Sequence, residues 1–207
     1  PLTYWAIAGS LSVFGRNEWG ARLPNALAFT ATIFVMLGLS RRITPGRSWL
    51  PPVIYATSLL PFTAANFVTT DTLLTLWEAL AVLGFAEWWH RGGGFGRFAS
   101  NLLMWTAFGL AFLTKGPPGL LPLLAIVPFT WLSLGRKGTL RLLRPSGLLM
   151  FALVGFGWYV AVAAARPGVL SYWLHDEVVA RVASNLHHRN SKWYKPFIIY
   201  LPVLGFG

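Results

Sequence analysis

Cysteine is absent from the 207 residues and acids are scarce, with 6 Asp and Glu against 17 Lys and Arg. Without cysteine there is no disulfide and no thiolate metal site, and the redox compartment cannot be read from the chain. Charge of either sign is thin. It occupies 11% of the residues, where a soluble domain carries roughly 25%. No repeat at a fixed spacing is evident. The glycine-rich run Gly92-Gly93-Gly94-Phe95-Gly96 lacks the preceding strand and the Lys-Ser/Thr ending of a phosphate loop. It reads as a flexible turn, and no nucleotide fold is expected.

What the chain has in abundance is apolar surface: 55% hydrophobic residues, 11 Trp and a mean hydropathy of +0.56. The Trp suit interfacial belts, where an amphipathic ring sits at headgroup level. Apolar stretches at residues 23–40, 49–67, 72–89, 99–114, 118–134 and 147–165 each have the length of a membrane-crossing helix. A seventh begins near Phe197. The opening 2–14 is too short to cross and predicts a helix lying at the interface. The expectation is an all-α, polytopic transmembrane bundle of about six complete spans, forming one domain over 1–207. The missing Met, the lack of a signal-peptide pattern and the final apolar run read as an internal piece of a longer protein.

The loops set an orientation. Arg41, Arg42 and Arg47 fill one, Arg91 and Arg97 the next alternate one, and Arg136, Lys137, Arg141 and Arg144 the third, with no acid between the helix ends. By the positive-inside rule that face is cytoplasmic. A net charge of +11 therefore reads as topological bias, and no nucleic-acid partner is expected. The opposite face collects Arg16, Glu18, Arg22, Asp71, Lys115 and a loop over 166–196 with Asp176, Glu177, Arg181, His187, His188, Arg189, Lys192 and Lys195. A site at the non-cytoplasmic face of the membrane is the expectation.

Three constellations there carry chemistry. Asp71 stands at a helix start, with Thr75 and Glu78 following on one helical face. It is read either as an N-cap or as part of a polar stripe toward the bundle interior. Lys115 closes a helix at Leu113-Thr114-Lys115-Gly116-Pro117-Pro118-Gly119. It is read either as a terminator favoured by the helix dipole or as a ligand for an anion such as phosphate. Residues 169–186 can form a helix with Glu177 and Arg181 four apart, followed by the basic-aromatic cluster Arg189, Lys192, Trp193, Tyr194 and Lys195. The adjacent His187 and His188 diverge on a helix and lack a spaced third ligand, so no metal site is expected. Glu87 is expected to pair with Arg91, four residues on.

These residues also resemble a known pattern. Pro1-Leu2-Thr3-Tyr4-Trp5 resembles the tail of the Lys-Pro-Pro-Leu-x-Tyr-Trp segment of bacterial membrane glycosyltransferases of the aminoarabinose-transferase and protein O-mannosyltransferase type. Glu18 through Arg22-Leu23-Pro24, Thr70-Asp71, Leu113-Thr114-Lys115-Gly116-Pro117, and Glu177-x-x-x-Arg181 with Lys192-Trp193-Tyr194 are similar to further segments in the same order. The resemblance implies a GT-C-like helical bundle. Its donor would be a polyprenyl-phosphate sugar and its acceptor a lipid or protein, with membrane lipids around it and no nucleotide or other cofactor. It implies Asp71 in the catalytic cavity, Lys115 and Arg181 as anion ligands, Glu177 orienting Arg181, and Lys192 and Tyr194 at the cavity mouth. The family's acidic loop before Lys-Pro-Pro, expected to hold the catalytic base, is not in this sequence. The chain alone is therefore expected to be inactive. Two other readings stay open: a transporter or flippase segment for lipid-linked sugars, and a non-catalytic membrane subunit.

Overall fold

A computed structural model of the protein describes residues 1–172 together with Tyr194, Phe197, Ile198 and Leu201. Among these the regular structure is helical throughout. The order is α1 (Leu2–Phe14), α2 (Glu18–Ile43), α3 (Leu50–Thr57), α4 (Leu59–Asn66), α5 (Asp71–His90), α6 (Gly94–Lys115), α7 (Leu123–Leu142), α8 (Pro145–Ala165) and α9 (Val169–Tyr172). Short 3₁₀ turns at Pro45–Arg47 and Pro117–Leu120 join α2 to α3 and α6 to α7. Among the described residues three stretches are long and apolar enough to cross a membrane: Glu18–Ile43, Pro117–Leu142 and Pro145–Ala165.

The chain forms two compact units, Pro1–Phe156 and Gly157–Gly207. The centre of the first is the antiparallel pair α5 and α6, with α2 against α5 and α1 against α2. Between lipid-facing helices close backbone approach replaces the hydrophobic drive, so small residues mark the contact. Gly84 is such a point, since a Cβ there would lie 2.8 Å from the Met104 amide nitrogen. Around it Ala81, Trp88, Met104, Trp105, Ala107 and Phe108 are buried with Ile126 and Leu142 of α7. Of the second unit the described part is the end of α8, helix α9 and the four residues after it, with Trp158 edge-on to Tyr159.

The helix expected over 49–67 is in fact two short ones. Ser58 is extended at φ −68°, ψ 135°, and splits α3 from α4. The reason lies three residues on. Pro61 has no N–H to give the Thr57 carbonyl, and its ring crowds that carbonyl, so a continuous helix cannot pass. The proline sits instead in the first turn of α4, where it is tolerated. A second break falls in α7, at Gly135 (φ 62°, ψ −167°), just beyond the stretch expected at 118–134. The helix expected over 169–186 is seen as Val169–Tyr172, and its remainder lies outside the described residues.

Candidate functional site

The antiparallel pairing of α5 and α6 places the first residue of one beside the last residue of the other. Asp71 opens α5 and Lys115 closes α6. The Lys115 Nζ donates to Asp71 Oδ1, joining two elements 44 residues apart in sequence. The two side chains remain 40% and 54% exposed, so the pair faces solvent or a ligand. Lys115 is also within electrostatic range of Glu78, which is half-buried on the next turns of α5. The Thr75 hydroxyl between them is used locally, donating to the Asp71 carbonyl at 2.9 Å.

The N-cap reading of Asp71 does not hold. Thr70 occupies the cap position, with helical backbone and no side-chain cap bond, and the Asp71 carboxylate is turned to Lys115. Gly116 explains the stop after Lys115. Its φ of +78° would strain any residue with a Cβ, its N–H closes the last turn on the Phe112 carbonyl at 2.7 Å, and Pro117 begins the 3₁₀ turn. Helix termination and ion pairing are thus both present, and they are carried by different residues.

One positioning residue escapes the sequence reading. Asn25, 1% exposed on α2, donates through Nδ2 to the carbonyls of Phe67 at 2.6 Å and Thr69 at 3.2 Å. It thereby fixes the loop that delivers Asp71, and Thr72 adds a 3.3 Å bond back to the Ala64 carbonyl. Its only signal in the sequence is a lone Asn early in an apolar run. Such a residue must find partners or leave polar groups unsatisfied in a dry interior.

Half-exposed ion pairs contribute about 0–1 kcal/mol to stability. The Asp71–Lys115 pair is therefore weak as a staple and easy for a competing anion to open. Among the remaining expected site residues, Tyr194 is 38% exposed in the second unit, with its carbonyl accepting from the Phe197 and Ile198 amides. Glu177, Arg181 and Lys192 lie outside the described residues. The expected Glu87–Arg91 pair is present at 3.0 Å, and Glu87 also takes Arg42 of α2, with Nε and Nη2 at 2.6 and 3.0 Å. Among the described residues no cluster of His, Asp and Glu can hold a metal ion.

Comparison with known proteins gives consistent results. Residues 1–174 match the family model described as dolichyl-phosphate-mannose-protein mannosyltransferase. The undecaprenyl phosphate-alpha-4-amino-4-deoxy-L-arabinose arabinosyl transferase of Edwardsiella ictaluri is 27% identical over 99% of this chain and 37% of its own length. The corresponding protein of Pseudomonas paraeruginosa is 30% identical over 98% of this chain and 36% of its own length. The crystal structure of ArnT from Cupriavidus metallidurans bound to undecaprenyl phosphate superposes with a TM-score of 0.83 at 25% identity, covering 99% of this chain and 39% of that one. The chain spans little more than a third of each relative. The match over most of its length shows that it belongs to the dolichyl-phosphate-mannose-protein mannosyltransferase family and has the helical fold of ArnT.

Proposed function

We propose that the whole protein is a membrane glycosyltransferase that moves a sugar from a polyprenyl-phosphate donor to a lipid or protein acceptor. We place the reaction at the outer face of a bacterial inner membrane, at the Asp71–Lys115 pair. The supporting observation is the Asp71–Lys115 pair itself, set by Asn25 at one end of the helix pair, in a chain whose relatives are named as arabinosyl transferases using an undecaprenyl-phosphate sugar. In the transfer, the bond between the sugar anomeric carbon and the phosphate oxygen breaks. The electron pair stays on the polyprenyl phosphate oxygen, and an acceptor oxygen forms the new bond as a carboxylate takes its proton. Charge grows on the leaving phosphate, where a positioned cation is most effective. Lys115 supplies that cation. As the phosphate takes Lys115, Asp71 is released to orient the acceptor and to stabilise positive charge at the sugar carbon. In this reading Arg181, oriented by Glu177, is a further anion ligand, and no nucleotide takes part.

The break between α3 and α4 is the observation that favours a transporter, because broken helices line many transport pathways. The family match outweighs it, and transfer decides. The full-length protein in membranes, given labelled polyprenyl-phosphate sugars, should form product. Asp71→Asn and Lys115→Ala should each lower transfer at least ~100-fold with expression unchanged. Product formation by neither wild type nor variants, with every donor tested, would turn the reading toward transport.

A further inference from the structure

At the other end of the α5–α6 pair lies a cavity of about 610 Å³ whose lining includes Trp88, Gly94, Arg97, Asn101, Arg141 and Arg144. Three of these residues are cations, and among the described residues none meets a carboxylate. Among the described residues the one acid at this end, Glu87, is already bonded to Arg42 and Arg91. Arg97 stacks over the Trp88 ring, 4.2 Å from its centroid, and its buried Nε has no hydrogen-bond partner. Arg141 stands close enough to Arg97 to work against its charge. Arg144 lies 5.2 Å over the Phe98 ring.

The fold holds these like charges together. After the Gly135 break, the last part of α7 ends at Leu142, whose carbonyl accepts from both Asn101 Nδ2 at 2.8 Å and Trp105 Nε1 at 3.0 Å. Two buried side chains of α6 thus tie down the segment that carries Arg141 and Arg144. Gly147 lets α8 start against the same place, since a Cβ there would meet Trp105 Cδ1 at 2.3 Å. Three cations gathered on a braced cavity repel one another unless an anion compensates. Guanidinium groups match phosphate oxygens in geometry and charge, and α6 opens at Gly94 in the same wall with the positive end of its dipole.

We propose that this cavity is a binding site for a phosphate-bearing anion, filled by the phosphodiester headgroup of an anionic phospholipid and separate from the Asp71–Lys115 site. Basic pockets between membrane helices are suited to such headgroups. The glycines at 92–94 then act as an open rim through which a headgroup enters, a role unlike that of a nucleotide loop.

The test uses the full-length protein in neutral detergent. Its thermal midpoint is read on adding short-chain phosphatidylglycerol, phosphatidylcholine or inorganic phosphate. Phosphatidylglycerol should raise the wild-type midpoint and phosphatidylcholine should not. The apparent affinity for phosphatidylglycerol should fall on the order of 100-fold in R97Q/R141Q/R144Q. Leu140→Glu places an acid at the cavity lining on a residue already 59% exposed, and should abolish the shift without loosening the fold. Arg47→Gln, a cation outside the cavity, should leave it intact. An equal shift with inorganic phosphate would keep the site and make free phosphate its occupant. No wild-type shift with either probe, or a full shift in Leu140→Glu, would overturn the proposal.

Discussion

The two ends of the α5–α6 pair handle charge in opposite ways. At one end a single acid and a single base face each other, half exposed, with Glu78 nearby. At the other end Glu87 takes Arg42 and Arg91, while Arg97, Arg141 and Arg144 are left over. The first arrangement is electrically balanced and can be opened by a ligand. The second carries a surplus that attracts one. The net charge of +11 therefore hides two different devices, and only the placement of each side chain separates them.

The comparison can be broken in order of expected effect. The strongest test is at the balanced end, where removing either partner should cost at least ~100-fold in transfer while hardly moving the thermal midpoint, because an exposed pair adds so little to stability. Next is Gly84→Ala, whose methyl would press on the Met104 backbone at 2.8–2.9 Å and force apart the helix pair that carries both ends. Overpacking of this kind costs about 1–3 kcal/mol, to be read as a lower midpoint in detergent. Asn25→Ala should cost about 1–3 kcal/mol by stripping the Phe67 and Thr69 carbonyls of their donor. It should also reduce transfer, because the loop ahead of Asp71 loosens. Glu87→Gln should lower the midpoint by roughly 2–4 °C. It should also tighten phosphatidylglycerol binding, as Arg42 and Arg91 join the surplus. Glu18→Gln should be the mildest, moving the midpoint by less than about 1 °C, because its 3.5 Å contact with Arg22 is largely exposed.

Much of the helical plan was legible in the apolar runs. The opening helix has the bounds expected at 2–14, and the runs at 72–89 and 99–114 fall within α5 and α6. A proline within an apolar run admits a kink, but hydropathy measures transfer into an apolar phase and does not tell a kink from the full break that Pro61 imposes at Ser58. The Gly135 break was hidden for a related reason, since glycine alone does not say which backbone region it adopts. Topology placed Asp71 and Lys115 on one face. It could not show that they meet, because that depends on how far each helix runs before it stops. Spacing within a helix revealed Glu87 with Arg91, but the stronger contact with Arg42 crosses between helices and has no spacing rule. Asn25 was overlooked because one polar residue barely changes a window average, whereas its two hydrogen bonds decide where the next loop goes.

The most direct test of the Asp71–Lys115 site is a charge swap. Transfer and thermal midpoint would be measured for full-length wild type, for each single variant and for Asp71→Lys combined with Lys115→Asp. The swap keeps the ion pair and reverses its direction. If Lys115 serves the leaving phosphate, the double variant keeps a midpoint close to wild type yet remains at least ~100-fold slower in transfer. If transfer returns to the wild-type rate, only the presence of an ion pair matters and not which residue carries the cation, and the catalytic reading is contradicted.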